Sequence, residues 1–155
     1  MQSKTIISDT SCFIALANIG ELNLLQFLYK QIVTTTEIAK EFGESLPDWV
    51  KIIAVSDKAK QQLLETYIDK GEASAIALAL ECENPLLILD DHKARKLANN
   101  LKLNHTGTIG VILAAKQKGI IPMVKPLLEK IKQTNFRLSA DLELQALIQA
   151  NEYIR

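Results

Sequence analysis

The sequence has few of the features that mark several classes of protein. Its only cysteines, Cys12 and Cys82, lie far apart, which predicts free thiols in a reducing cytosol and excludes a disulfide framework. No apolar run reaches the ~18 residues that a membrane span needs, and the first residues do not resemble a signal peptide. These absences predict a soluble, cytoplasmic protein with no membrane partner.

The sequence also lacks an excess of charge of either sign. Lys plus Arg and Asp plus Glu both number 18, so the formal net charge is zero. No long-range positive field would attract nucleic acid, so any binding of RNA or DNA would be local and assisted by a metal ion. With 155 residues and 48% hydrophobic content, the chain is expected to form one globular domain over residues 1–155.

Apolar runs of strand length alternate with helical patterns along the chain. We predict strands at residues 5–8, 32–34, 51–55, 86–89 and 103–106. Helices are predicted at residues 12–18, 22–29, 34–42, 56–67, 72–82, 92–101 and 108–118, followed by two amphipathic helices. This alternation predicts an α/β fold whose parallel sheet carries helices on both faces.

Acidic residues follow two of the predicted strands. Asp9 ends the first strand, Asp90 and Asp91 follow the fourth, and Glu72 opens an apolar helix. Ligands of open α/β sheets bind beside the carboxyl ends of the strands, so these carboxylates are expected to converge. Because neighbouring carboxylates repel one another unless a cation lies between them, the pattern indicates Mg²⁺ or Mn²⁺, which prefer oxygen ligands.

A further pair of acids lies one turn apart on the predicted helix that Thr34 to Thr36 start and that runs through Phe42. Thr34 and Glu37 have the spacing of a capping box, in which the glutamate bonds back to the first amide of the helix. This interpretation assigns Glu37 to the cap and leaves Glu41 for the metal ion.

Five short motifs, taken in order, resemble the PIN-domain superfamily, and more narrowly a prokaryotic branch of predicted nucleic-acid-binding proteins that includes toxin-like ribonucleases. The resemblance covers nearly the whole chain. The motifs are Asp9-Thr10-Ser11, Glu41 within residues 37–42, Gly71-Glu72-Ala73, Asp90-Asp91-His92 with the basic residues after it, and Gly107-Thr108-Ile109-Gly110.

The resemblance implies a three-layer α/β/α fold with a parallel sheet of four to five strands and a metal-dependent nuclease site. Asp9, Glu41, Glu72 and Asp91 match the acidic quartet of the family, and Ser11 matches a hydroxyl beside the first aspartate. In the family mechanism, metal-activated water attacks an RNA phosphodiester, and many relatives are toxins of toxin-antitoxin pairs.

The sequence also departs from the family pattern after its fourth strand. Many relatives place a further acid or asparagine after that strand's aspartate, whereas His92 and basic residues follow Asp91 here. Whether a second metal ion binds, and whether Asp90 replaces the missing ligand, stays open.

Each candidate also has a structural interpretation. Asp9 and Ser11 would cap the first helix, and Glu72 would complement a helix dipole. Asp91 would form a surface ion pair with Arg95, and Asp90 would cap a helix, which for Asp90 is the favoured interpretation.

Basic residues follow the acidic pair. Lys93, Arg95 and Lys96 are expected either to guide a phosphate backbone toward the acids or to form a solvated helix face. Near the C-terminus, the apolar residues of an amphipathic segment predict core packing or a face for a homodimer or an antitoxin protein. These residues are Leu144, Leu147, Ile148 and Ile154.

Three functions fit these features to different degrees. The first is a metal-dependent endoribonuclease that cleaves RNA and acts as the toxin of a toxin-antitoxin pair. The second is a catalytically silent module that keeps the fold and binds nucleic acid or protein. The third, a phospho-acceptor receiver domain, fits poorly because receivers carry their acidic pair after the first strand.

Overall fold

A computed structural model describes residues 4–153 and contains a sheet of five parallel strands in that range, in the order β3-β2-β1-β4-β5. The strands are β1 (Thr5–Ser8), β2 (Ile32–Thr35), β3 (Val50–Ile53), β4 (Pro85–Ile88) and β5 (Asn104–Thr106). The predicted α/β class and the parallel sheet are confirmed. Receiver domains have the order 2-1-3-4-5, so the topology argues against that alternative.

Nine helices lie in the same part of the chain. They are α1 (Thr10–Asn18), α2 (Leu24–Tyr29), α3 (Thr36–Phe42), α4 (Lys58–Leu64), α5 (Lys70–Ala79), α6 (His92–Asn100), α7 (Thr108–Gln117), α8 (Lys125–Lys132) and α9 (Ala140–Gln149). Helix α5 contacts β1, β2 and β4 and also α4 and α6, whereas α2 contacts β2 and α7. Right-handed crossovers place these two sets on opposite faces of the sheet, because the strand order reverses direction between β3 and β4.

The middle of the sheet is the most deeply buried part. Ile7 of β1 lies opposite Leu87 of β4, and neither side chain is accessible to solvent. Residues 87–89 are fully buried, as a strand covered on both faces should be. Small residues on α5, such as Ala73 and Ala77, let that helix approach the sheet closely.

The capping box predicted from Thr34 and Glu37 is wrong by one residue. Strand β2 remains paired with β3 through Thr35, whose hydroxyl then caps α3 by accepting from the Ile38 N–H at 3.1 Å. The Thr34 hydroxyl instead donates to the carbonyl of Ser8. Glu37 accepts from Gln61 Nε2 at 2.7 Å, so it joins α3 to α4 and does not cap its own helix.

A second predicted boundary is also displaced. The helix predicted to begin at residue 72 begins two residues earlier, because Lys70 and Gly71 form the first turn of α5 and Asp69 is its N-cap residue. A glycine near the start of a helix is tolerated because few backbone hydrogen bonds depend on it there. The displacement matters because it brings Gly71 beside α3.

The C-terminal helix uses its apolar face only partly for the core. Ala146 is buried and Leu147 packs against the core, whereas Ile148 is 45% exposed. Ile154 lies outside the described residues. Of the helices between residues 4 and 153, none is long and apolar enough to cross a membrane.

Candidate active site

The predicted acids lie along the carboxyl edge of the sheet. A cleft of about 730 Å³, named here the acidic cleft, is lined by Asp9, Glu72, Asp90 and Asp91. A smaller adjoining cavity of about 160 Å³ is lined by Asp9, Glu41 and Glu72. Four elements that are distant in sequence therefore bring these carboxyl groups to one edge.

Asp9 is the buried centre of this arrangement. It caps α1, since its Oδ1 accepts from the Cys12 N–H at 2.9 Å, and its Oδ2 accepts from the Asp90 N–H at 3.0 Å. Only 3% of the residue is exposed. Burial and the charge of Asp90 raise the pKa of Asp9 to about 8, although both backbone hydrogen bonds oppose this rise. The capping role is real, and it leaves a further lone pair on each oxygen.

Asp90 binds the start of a helix, as predicted, but that helix is α7 and not the one that follows Asp90 in the chain. Asp91, not Asp90, caps α6 by accepting from the Ala94 N–H at 3.0 Å. Asp90 accepts from the backbone N–H of Thr108 at 2.8 Å, from its hydroxyl at 2.6 Å, and from the Ser11 hydroxyl at 2.9 Å. It therefore joins the starts of α1 and α7, which follow different strands.

Glu72 lies in the first turn of α5 and faces several like charges. Burial, then Asp91, Asp69 and Glu41, raise the pKa of Glu72 to about 7. A carboxylate in a first helical turn also complements the helix dipole, so the structural interpretation applies as well. The carboxylates that repel Glu72 therefore come from several different elements of the fold.

Glu41 reaches the site because Gly71 leaves room for it. Its Oε1 accepts from the Thr10 hydroxyl at 3.2 Å. A β-carbon on Gly71 would lie 1.8 Å from that same oxygen. The absence of a side chain on α5 therefore defines the position of the Glu41 carboxylate.

Replacing Gly71 by alanine is expected to weaken Mn²⁺ binding about tenfold, a loss typical of disturbing the supports of a metal ligand. The new methyl group would displace Glu41, whose side chain is flexible enough for the fold to survive. The free energy of unfolding should stay constant or rise by up to about 1 kcal/mol, because alanine favours helix over glycine. Calorimetric titration with Mn²⁺ and chemical denaturation measure the two effects.

The matched control for this substitution is Glu41→Gln. If Gly71 acts through Glu41, the double variant should bind Mn²⁺ no more weakly than Glu41→Gln alone. Additive losses would contradict the role given to Gly71.

The basic residues predicted to bind substrate are dispersed. Arg95 lines the acidic cleft, whereas Lys93 lines a neighbouring groove and Lys96 is exposed and does not line the cleft. The ion pair predicted between Asp91 and Arg95 is absent from the ion pairs of the described residues. Arg95 Nε instead donates to Nδ1 of His105 at 3.4 Å.

Several site residues were missed from the sequence. Thr108 had been noted only as part of a motif, yet it holds Asp90 with two donors. Asp69, which lies between two predicted helices and was given no role, lines the small cavity with Glu41 and Glu72. A threonine that opens a helix directly after a glycine was the one local signal for Thr108.

The donor set suits a divalent ion in its chemistry. All the candidate ligands are carboxylates, which Mg²⁺ and Mn²⁺ prefer, and a cation would relieve the repulsion that raises the pKa of Asp9 and Glu72. Within residues 4–153, however, no group of three or more His, Cys, Asp or Glu side chains is placed so that it could hold one ion. The chemistry fits, while the side chains are not gathered around one point.

Comparisons with known proteins address the family. No curated protein and no solved structure matches the chain significantly. A family model described as a PIN domain matches residues 5–152, which include every strand and helix described above. By this match over nearly its whole length, the chain belongs to the PIN-domain family.

Proposed function

We propose that the protein is a metal-dependent endoribonuclease that hydrolyses RNA phosphodiester bonds. PIN domains are generally nucleases and typically use divalent metals, which supports the broader assignment. The observation that carries the proposal is the convergence of Asp9, Glu41, Glu72 and Asp91 from four elements on one edge of the sheet. Repulsion among carboxylates placed this close together costs free energy unless a bound cation relieves it.

The residues of the chain have distinct parts in this proposal. Asp9, Glu41, Glu72 and Asp91 would hold Mg²⁺ or Mn²⁺, with Asp90 as the candidate for a second ligand set. When bound, the ion supplies an activated water and offsets negative charge on the phosphate. Asp9 and Asp90 are already fixed by backbone and hydroxyl donors, so their carboxylates need little reordering. Arg95, oriented by His105, presents positive charge to a phosphate in the same cleft.

The direct test is cleavage of a labelled RNA by the purified protein. We expect fragments to accumulate with Mg²⁺ or Mn²⁺ and not with EDTA. Equal cleavage in EDTA would contradict the metal requirement, and no cleavage with either ion would contradict the enzyme itself. We further propose that the nuclease is the toxin of a toxin-antitoxin pair, which predicts growth arrest on expression in cells and relief by a protein encoded beside it.

A catalytically silent binding module is the second candidate, and one observation favours it. As the side chains stand in residues 4–153, no three His, Cys, Asp or Glu residues are placed so that they could hold one ion. Titration with millimolar Mn²⁺ separates the two candidates, since a silent module is expected to show no binding by calorimetry. Binding of Mn²⁺ would favour the nuclease.

A further inference from the structure

The acidic cleft is not uniformly acidic. Besides its carboxylates it is lined by Arg95 and Arg137, and neither arginine belongs to any ion pair among the described residues. Two positive charges that are not neutralised by the acids beside them remain available to an anion. Arg137 comes from the segment between α8 and α9, far along the chain from every predicted site residue.

The basic side chains that line the acidic cleft are arginines and not lysines. The chain has three arginines and fifteen lysines. Two of the arginines line the acidic cleft, whereas none of the lysines does, and all of these lysines lie in the described part of the chain. Arginine presents a planar fork that binds phosphate oxygens in pairs, which the ammonium group of lysine does not.

The segment that carries Arg137 also carries an aromatic ring. Residues 134–137, named here the C-terminal wall, place Phe136 at the border between the acidic cleft and a second cavity of about 380 Å³. Ser11, Asn135 and Phe136 line both spaces, so the two adjoin at the ring. Phe136 is half-buried and retains exposed surface.

Local hydrogen bonds hold this wall in place. The Thr134 hydroxyl donates to the carbonyl of Ile131 at 2.6 Å and accepts from the Phe136 N–H at 3.2 Å. The ring and the guanidinium that follows it are therefore presented by an ordered turn directly after α8. An ordered wall loses little conformational entropy when a ligand binds.

We propose that the C-terminal wall binds the substrate strand, with Arg137 contacting a backbone phosphate next to the cleaved one and Phe136 stacking on an unpaired base. This proposal rests on the proposed nuclease function and assigns it two substrate-binding residues outside the acidic set. Arg95 and Arg137 would contact the backbone within the cleft, and the base on Phe136 would point into the second cavity.

The test measures binding without cleavage. Fluorescence anisotropy with a labelled single-stranded RNA is performed in EDTA, at several salt concentrations. Arg137→Ala is expected to raise Kd about tenfold and to reduce the slope of log Kd against log salt by about 0.7, the value for one lost phosphate contact on a single strand. Lys118→Ala removes the same charge at an exposed site on the end of α7 and should change neither quantity.

The ring is tested with a second ligand. Phe136→Leu should raise Kd for the RNA about tenfold, whereas Phe136→Tyr should bind nearly as wild type. On an oligonucleotide of abasic sites with the same number of phosphates, Phe136→Leu should have no effect, while Arg137→Ala should still weaken binding. This pattern separates stacking from phosphate contact, and thermal unfolding of each variant checks that the fold is kept.

Three results would overturn the proposal: no binding of the RNA by wild type, equal affinities for Arg137→Ala and Lys118→Ala, or an equal loss with Phe136→Leu on both ligands. Failure of the proposed nuclease function would give a different experimental result. A protein that shows the expected binding pattern yet does not cleave RNA with Mn²⁺ would contradict only the proposed function.

Discussion

Replacement of Asp9 by asparagine is expected to lower RNA cleavage with Mn²⁺ by more than about 100-fold, since even the supports of a metal ligand are worth that much. Asp9 lines both the acidic cleft and the small cavity beside Glu41, as Glu72 does, and it is the more deeply buried of these two acids. An asparagine would also set its amide nitrogen against one of two N–H donors, from Cys12 or from Asp90. Initial rates of cleavage, measured with saturating Mn²⁺ and matched protein concentrations, test the expectation.

The stability of the same variant shows whether the loss comes from the charge. Folded Asp9 has a pKa near 8 against an ordinary value of 3.8, so the folded protein keeps a proton that the unfolded chain releases. Its contribution to stability is therefore complete below about pH 4 and is lost as the pH rises toward 8. The wild-type free energy of unfolding should fall relative to that of Asp9→Asn by at most about 1.4 kcal/mol per pH unit in this range.

Two outcomes would contradict this account of Asp9. If the variant cleaves RNA at the wild-type rate, Asp9 serves only as a helix cap. If the stability difference between variant and wild type does not change with pH, the carboxylate is not under the strain that burial and Asp90 are taken to impose. Mn²⁺ should raise the stability of the wild type but not of the variant, because only the wild type would bind it.

The parts of the site that the sequence predicts are those fixed by local pattern. Asp9 and Asp91 follow apolar runs of strand length, and parallel strands bring their carboxyl ends to one edge whatever their separation in sequence. That each acid directly follows a strand can be read from the sequence without knowing how the helices pack. Their convergence was therefore predictable before the structure.

The parts that could not be predicted depend on contacts between distant segments. Whether β2 ends at Thr34 or Thr35 is decided by its pairing with β3, and that single residue moves Glu37 from the helix cap to Gln61. Thr108 binds Asp90 across 18 residues. Arg137 lies in a segment with no strand or helix pattern, and its place in the cleft follows from how α8 and α9 pack.

That packing is secured by one buried carboxylate near the C-terminus. The side chain of Glu152 is only 4% exposed and accepts from Lys116 Nζ at 2.9 Å, from the Val124 N–H at 2.7 Å and from the Lys125 N–H at 2.9 Å. Burial alone would raise the pKa of Glu152, but the Val124 and Lys116 hydrogen bonds hold it below its ordinary value. The carboxylate thus ties the residues after α9 to α7 and to the start of α8.

Replacing Glu152 by alanine is expected to lower the free energy of unfolding by about 2 to 3 kcal/mol, less than for a fully buried ion pair because the side chain of Lys116 is 26% exposed. Lys116 would lose its counter-charge, and two N–H groups at the start of α8 would lose their acceptor. Glu129→Ala removes a 51% exposed glutamate from the surface pair with Lys132 and should change stability by less than about 0.5 kcal/mol. Chemical denaturation at pH 7 compares the two variants.

The pH dependence of this effect has a definite sign. Because the pKa of Glu152 is lowered on folding, its contribution is present above the ordinary value of 4.5 and is lost as the pH falls through the lowered one. The difference in free energy of unfolding between wild type and Glu152→Ala should therefore shrink in acid, and a constant difference would show that the loss is one of packing and not of charge.

The C-terminal wall lies between α8 and α9, so a looser α9 should also weaken RNA binding in EDTA. Glu152→Ala would weaken RNA binding indirectly and lower stability as well. Arg137→Ala is expected to weaken RNA binding at full stability, because it removes only the phosphate contact.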